Sequence, residues 1–237
     1  MKEVSMLLIS LLLSGTGLHS PHLPAAQPAI SSSPLSTEEE EIVRLINHTY
    51  GKQAAMRTTA WRQLLTASRQ QDELAQLKLV NDFFNQLRFL NDIEIWGQED
   101  YWAAPLEFLG AGAGDCEEFS IAKYLSLREL GVDDEKLRLV YVKALTLNQF
   151  HMVLAYYPTP SAVPLLLDNL TPDILQASQR SDLQPIYSFN ASKLWLIKQR
   201  GQGQLVGDPS RIKHWQSLQQ RVRHHQLTVP VLWLDRE

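Results

Sequence analysis

Near Gly131 the chain changes its hydrophobic period, and that change limits the architectures open to it. Before it, Trp61, Leu64, Leu65, Leu74, Leu77, Val80, Phe84 and Leu87 recur at helical spacing and mark one core-facing stripe over residues 58–87. After it, residues 137–145 and 149–157 alternate and are rich in β-branched and aromatic side chains. Residues 163–168 form a shorter third run, and 186–189 and 194–197 add two more candidate strands. Helices first and strands afterwards predict an α+β domain, with N-terminal helices packed on an antiparallel sheet.

The 237 residues, 44% of them hydrophobic, suffice for one sizeable core, so a single domain with flanking segments is expected. Thr37, followed by glutamates at 38–41, reads as an N-cap and an acidic first turn. Residues 91–109 mix polar and aromatic side chains around Pro105 and read as an ordered loop. Residues 115–130 read as a helix stopped by Gly131, and 209–226 as a last helix with Ile212, Trp215, Leu218 and Val222 on one stripe. A net charge of −4 gives no basic patch for nucleic acid, and Arg221-Val-Arg-His-His225 reads as a solvated helix face.

At the N-terminus one lysine precedes an apolar run at 6–13 that is too short to span a bilayer. Small and proline residues follow, with a candidate cleavage point near Ala25-Ala26. This predicts a signal peptide over residues 1–26 and export, although Glu3 weakens its charged end. Residues 27–37 read as a flexible leader and 38–237 as the domain. No other segment is apolar enough to cross a membrane.

The single cysteine, Cys116, follows the glycine-rich run Gly110-Ala-Gly-Ala-Gly114 and opens the helix at 115–130. Alone, it has no disulfide partner within the chain, and an unpaired thiol in an exported protein points to reactivity. A free thiol has a pKa of about 8.5, so it needs help to become a nucleophile. A helix N-terminus supplies positive potential and N–H groups that also hold an oxyanion, while the glycines leave room for a substrate chain. His151, on a strand, is the candidate base if Phe150, Met152 and Leu154 point into the core. Asp168, ending the next strand, is the candidate partner that fixes the imidazole tautomer.

Asp115, Glu117 and Glu118 crowd a sulfur that must itself become negative, and like charges oppose its ionisation. Two explanations stand level. Asp115 and Glu118 form a capping box while Glu117 faces water, or the three carboxylates hold a hard divalent cation such as calcium. Trp102 either packs in its loop or borders the cleft.

Three stretches carry a family resemblance: Asp100-Tyr-Trp-Ala-Ala-Pro-Leu-Glu-Phe-Leu-Gly-Ala-Gly-Ala-Gly-Asp-Cys-Glu-Glu-Phe119, Asn148-Gln-Phe-His-Met-Val-Leu-Ala-Tyr157 and Leu167-Asp-Asn-Leu170. They resemble the bacterial transglutaminase-like cysteine proteinases, continuously over residues 96–170 and more loosely over most of the mature chain. The resemblance implies a papain/transglutaminase-like fold with Cys116, His151 and Asp168 as catalytic residues. It also implies Ca2+ bound by Asp115, Glu117 and Glu118, the last standing where relatives often carry Asp. It further implies a periplasmic endopeptidase that cuts a large surface adhesin near its N-terminus and so controls biofilm attachment and dispersal. The implied inhibitor is the periplasmic domain of an inner-membrane cyclic di-GMP receptor. The residues themselves leave two other classes open, a transglutaminase-like acyl transferase and a catalytically silent binding module that uses the Trp-rich loop.

Overall fold

Ser36, not Thr37, caps the first helix, α1 (Thr37–Tyr50). Its hydroxyl accepts the Glu39 N–H while the Glu39 carboxylate accepts the Ser36 N–H, a closed capping box. The stripe at 58–87 is divided between two helices, α2 (Lys52–Ser68) and α3 (Glu73–Phe84). Asp72 makes the break by accepting the Ala75 N–H at 2.9 Å. The new start turns Leu74 to solvent, whereas Trp61, Leu64, Leu65, Leu77, Val80 and Phe84 stay buried.

A two-strand parallel pair, β1 (Arg88–Phe89) and β2 (Ala113–Gly114), brackets the region predicted as a loop. That region holds two short helices, α4 (Asp92–Ile95) and α5 (Pro105–Ala111). Pro105 begins α5, where its missing N–H has no helical partner to lose. Helix α6 (Cys116–Glu129) then runs to the predicted stop. Gly131 takes φ +98°, and the Val132 N–H closes on the Leu127 carbonyl at 3.0 Å.

The computed structural model describes residues 34–197 and 203–235, so the predicted signal peptide and most of the leader lie outside the described residues. The sheet contains β3 (Leu137–Ala144), β4 (Gln149–Tyr156), β5 (Leu165–Leu167), β6 (Leu175–Gln176), β7 (Leu183–Phe189), β8 (Leu194–Ile197) and β9 (Gly203–Gly207). Their order is β6-β5-β4-β3-β7-β8-β9, and every neighbouring pair is antiparallel. Strand β6 is too short, and β9 too polar and glycine-flanked, to show an alternating pattern. The chain therefore returns from the β6 edge past β5, β4 and β3 before it pairs again as β7.

Alternation sorts the strands' side chains. Leu137, Leu139, Met152, Leu154, Tyr156, Leu167 and Phe189 join Phe84, Phe108, Phe119 and Trp215 in the main core under the helices. Val140, Val142, Val153, Ala155, Leu166 and Leu183 form a smaller cluster on the other face. Helix α7 (Lys213–Arg223) closes the end of the core with Trp215 and Leu218. Its Arg221 does not belong to a solvated face. The guanidinium turns inward to the fully buried Glu107 at 3.4 Å and lies 4.5 Å from the Tyr101 ring centre. Arg223, His224 and His225 are exposed, as the sequence suggested. No helix among the described residues is long and apolar enough to cross a membrane.

Candidate active site

The glycine run shapes the approach to α6 by close packing. Gly112 ends α5 at φ +74°, and a Cβ on Gly114 would lie 2.8 Å from both the Glu118 Cβ and the Phe108 ring. A Cβ on Gly110 would lie 2.6 Å from the Tyr50 ring. The run thus brings protein against protein, where the sequence suggested space for a substrate. Asp115 is the N-cap of α6 and accepts the Glu117 N–H at 3.3 Å, while Glu118 Oε2 accepts the Asp115 N–H at 2.9 Å. Glu118 Oε1 takes a second backbone donor, Ala103 N–H, at 2.8 Å.

Cys116 is the first residue of α6 and meets β4 where that strand has an open edge. Strand β5 pairs with β4 only over Leu154, Ala155 and Tyr156. Backbone polar groups two residues apart in a strand point the same way, so Met152 presents its N–H and C=O to the space that β5 does not reach. Helix α6 fills that space. The Ser120 hydroxyl donates to the Met152 carbonyl at 2.9 Å, and the Met152 N–H points at the Cys116 sulfur. The thiol therefore lies against the strand at the residue next to His151.

Met152 and Leu154 point into the main core, as expected, whereas Phe150 is 59% exposed at the strand's end and stacks on Tyr141. His151 is buried, and its register partner is Val142. Among the described residues every other histidine is exposed. Its Nε2 lies 2.7 Å from Asp168 Oδ1. Burial alone would raise the Asp168 pKa, but hydrogen bonds from His151, the Leu170 N–H and Arg180 outweigh it and hold the carboxyl at about 2. Asp168 is therefore ionised, Nε2 carries the proton, and Nδ1 is left for another partner. The other carboxylate oxygen, Oδ2, accepts from Arg180 Nη1 at 2.8 Å. Lys123 of α6, fully buried and without a hydrogen-bond partner among the described residues, also feels this carboxylate. Burial pushes its pKa down to about 7, against the pull of Asp168 and Asp82.

On the other side of the thiol stand four carboxylates. Cys116 Sγ donates to Glu117 Oε2 at 2.7 Å. Burial, together with the charges of Glu117 and Asp115, pushes the thiol pKa well up. Glu117 and Glu118 are likewise raised, by burial first and then by Asp115. Ligand atoms of Asp115, Cys116 and Glu117 lie within 4.8 Å of one another, and so do those of Asp92, Asp115 and Glu118. The structure thus divides the predicted set, with Asp115 common to both groups, and adds Asp92.

Asp92 and Arg180 escaped sequence reasoning. Asp92 opens α4 in a segment that reads as loop, and only the fold brings it to Asp115. It is buried, its Oδ2 accepts the Tyr101 N–H at 2.6 Å, and its Oδ1 has no hydrogen-bond partner among the described residues. Burial and the neighbouring Asp115 raise its pKa to about 7. Trp102 is buried, and its ring stacks on Phe189 with centres 5.8 Å apart, so it packs within the core. On the sheet, Phe150, Tyr141 and Tyr187 form a stack with successive ring centres 5.4 and 5.1 Å apart.

Residues 48–199 match the family described as bacterial transglutaminase-like cysteine proteinase. No curated protein sequence matches the chain. Among solved structures, Legionella pneumophila LapG is similar at 42% identity and a TM-score of 0.68, covering 80% of this chain and 99% of that one. An EGTA-treated LapG from the same organism gives 43% identity and a TM-score of 0.69 with the same coverage. A calcium-bound LapG gives 43% and 0.67, covering 78% of this chain and 98% of the other. A helical layer carrying a lone thiol on an antiparallel sheet thus agrees with both comparisons, and the chain belongs to the bacterial transglutaminase-like cysteine proteinases.

Proposed function

We propose that this protein is a calcium-dependent periplasmic cysteine endopeptidase with Cys116, His151 and Asp168 as its catalytic residues. The reading rests on one observation above the others: a lone thiol at a helix N-terminus lies against the strand residue next to a buried histidine, whose ring is held by an ionised aspartate. The thiol proton passes to His151 Nδ1, and the sulfur attacks the scissile carbonyl carbon. N–H groups of the first turn of α6 face the oxygen that becomes negative. As the C–N bond breaks, His151 returns the proton to the departing amine. It then takes one from the water that hydrolyses the thioester. Asp168 keeps the imidazole in the required tautomer throughout.

The residues around Cys116 fit calcium. The carboxylate donors are all oxygen, Asp92 Oδ1 is buried without a hydrogen-bond partner among the described residues, and the Asp92, Glu117 and Glu118 carboxyls are raised by burial first and then by the charge of Asp115. Asp115, Glu117 and Glu118, with Asp92 added, would hold the ion. Bound there, it supplies positive charge that offsets the carboxylates facing the sulfur. That one related LapG structure is calcium-bound and another EGTA-treated supports the assignment.

On this reading residues 1–26 are a signal peptide, 27–37 a leader and 38–237 the protease domain. The substrate is the N-terminal region of a large cell-surface adhesin, whose cleavage governs biofilm attachment and dispersal. The inhibitory partner is the periplasmic domain of an inner-membrane cyclic di-GMP receptor. The test is incubation of purified protein with adhesin N-terminal fragments, comparing wild type with Cys116→Ala, with calcium and with EGTA. A cut made only by wild type, abolished by EGTA and restored by calcium, is expected. Full activity in excess EGTA would remove the calcium role, and incorporation of a labelled amine in place of cleavage would remove the peptidase assignment.

A further inference from the structure

We propose that Arg180 is the positioning residue of the His151–Asp168 pair, fixing the carboxylate so that Oδ1 remains on the imidazole; the inference rests on the catalytic reading above. Asp168 is almost wholly buried, so its second oxygen has no water to satisfy it, and the donor on that oxygen sets the carboxylate's rotation. That donor is Arg180 Nη1, at 2.8 Å. The guanidinium is in turn gripped at two points by Asp182, Nε to Oδ1 at 2.9 Å and Nη2 to Oδ2 at 2.8 Å, a planar fork that leaves it little rotation. The Asp182 carbonyl accepts the Leu145 N–H at 2.8 Å, just past the end of β3. An unbroken line of contacts therefore runs from β3 through Asp182, Arg180 and Asp168 to His151.

The line has a competitor to resist. Lys123 is a buried amine with no hydrogen-bond partner among the described residues, and the Asp168 carboxylate favours its protonated form. A carboxylate released by Arg180 can turn towards that amine, which would loosen the imidazole. The topology explains why Arg180 is available. The return from β6 to β7 passes three strands, and residues 177–182 deliver the guanidinium from that crossing segment.

The experiment compares calcium-loaded wild type with Arg180→Ala, Arg180→Lys, Asp182→Asn and Cys116→Ala. The His151 ring is followed by NMR on isotope-labelled histidine, and kcat and KM are measured on an adhesin N-terminal fragment. Wild type should show a far-downfield Nε2 proton. In Arg180→Ala that signal should vanish and kcat should fall roughly tenfold to a hundredfold, with KM little changed, as expected for a misplaced catalytic group. Arg180→Lys keeps the charge but loses the fork, and should recover part of both. A folded Arg180→Ala that retains the signal and kcat overturns the proposal. Should Arg180→Ala fail to fold, Asp182→Asn decides: a weakened signal with lowered kcat supports the line of contacts, and an unchanged signal overturns it. If wild type cuts no better than Cys116→Ala, the proteolytic reading fails separately, and the His151 signal still decides the role of Arg180.

Discussion

Asp168 shows how one side chain links chemistry to pH. Its folded pKa of about 2 lies below the ordinary 3.8, so its contribution to stability is complete above about pH 4 and is lost as pH falls through 2. The difference corresponds to on the order of 2 kcal/mol. Acid unfolding followed by circular dichroism should therefore steepen below pH 4 in wild type, and Asp168→Asn should lack that part of the slope. Asp92 gives a second prediction at this scale. Asp92→Asn removes one charge from the proposed calcium site while keeping the size of the side chain. The calcium needed for half-maximal thermal stabilisation should rise about tenfold or more. An unchanged titration would place the ion elsewhere. Cys116, His151 and Asp168 were legible because thiol, imidazole and carboxylate each stand out in an alternating or capping context. Asp92 and Arg180 were not, because each lies in an irregular segment and gains meaning only through a distant neighbour, Asp115 or Asp168.

Among the elements, the meeting of α6 with β4 is held by the Ser120 hydroxyl on the Met152 carbonyl. Ser120→Ala leaves that buried carbonyl without its partner and should cost about 1–3 kcal/mol. Because Cys116 lies one turn before Ser120, kcat should fall more than KM rises, as denaturant titration and steady-state kinetics together would show. Unaltered stability and kcat would mean that packing alone seats the helix. The long strands and α6 were readable from period and from Gly131. Other elements were hidden by local signals that outweigh periodicity: Asp72 divides the predicted long helix, Pro105 starts α5 inside an apparent loop, and the two-residue β6 has no period to detect.

At the scale of the whole molecule, the C-terminal segment ties the helical layer together. Tyr50 donates to the Thr228 carbonyl at 2.7 Å, the Val231 N–H reaches the Ile95 carbonyl at 2.7 Å, and Arg57 pairs with Asp235 at 2.6 Å. The Thr228 N–H also donates to the buried Glu107 at 2.8 Å. Removal of the residues after Gln226 strips these partners away and leaves a buried carboxylate short of a donor. The truncated protein should melt several degrees lower and expose Trp96 to quenchers of fluorescence. An unshifted melting curve would show the tail to be an ornament. No local pattern announced this strap, since its residues are irregular and their partners lie far back in the chain.

The brevity of β5 has a consequence of its own. The Cys116 thiol and Ser120 occupy berths that a longer strand would claim, because two more residues of pairing past Leu154 would zip the backbone shut over Met152. The turn that begins at Asp168 is thus a stop against overrun, and lengthening the ladder there should extinguish catalysis while making the sheet more complete.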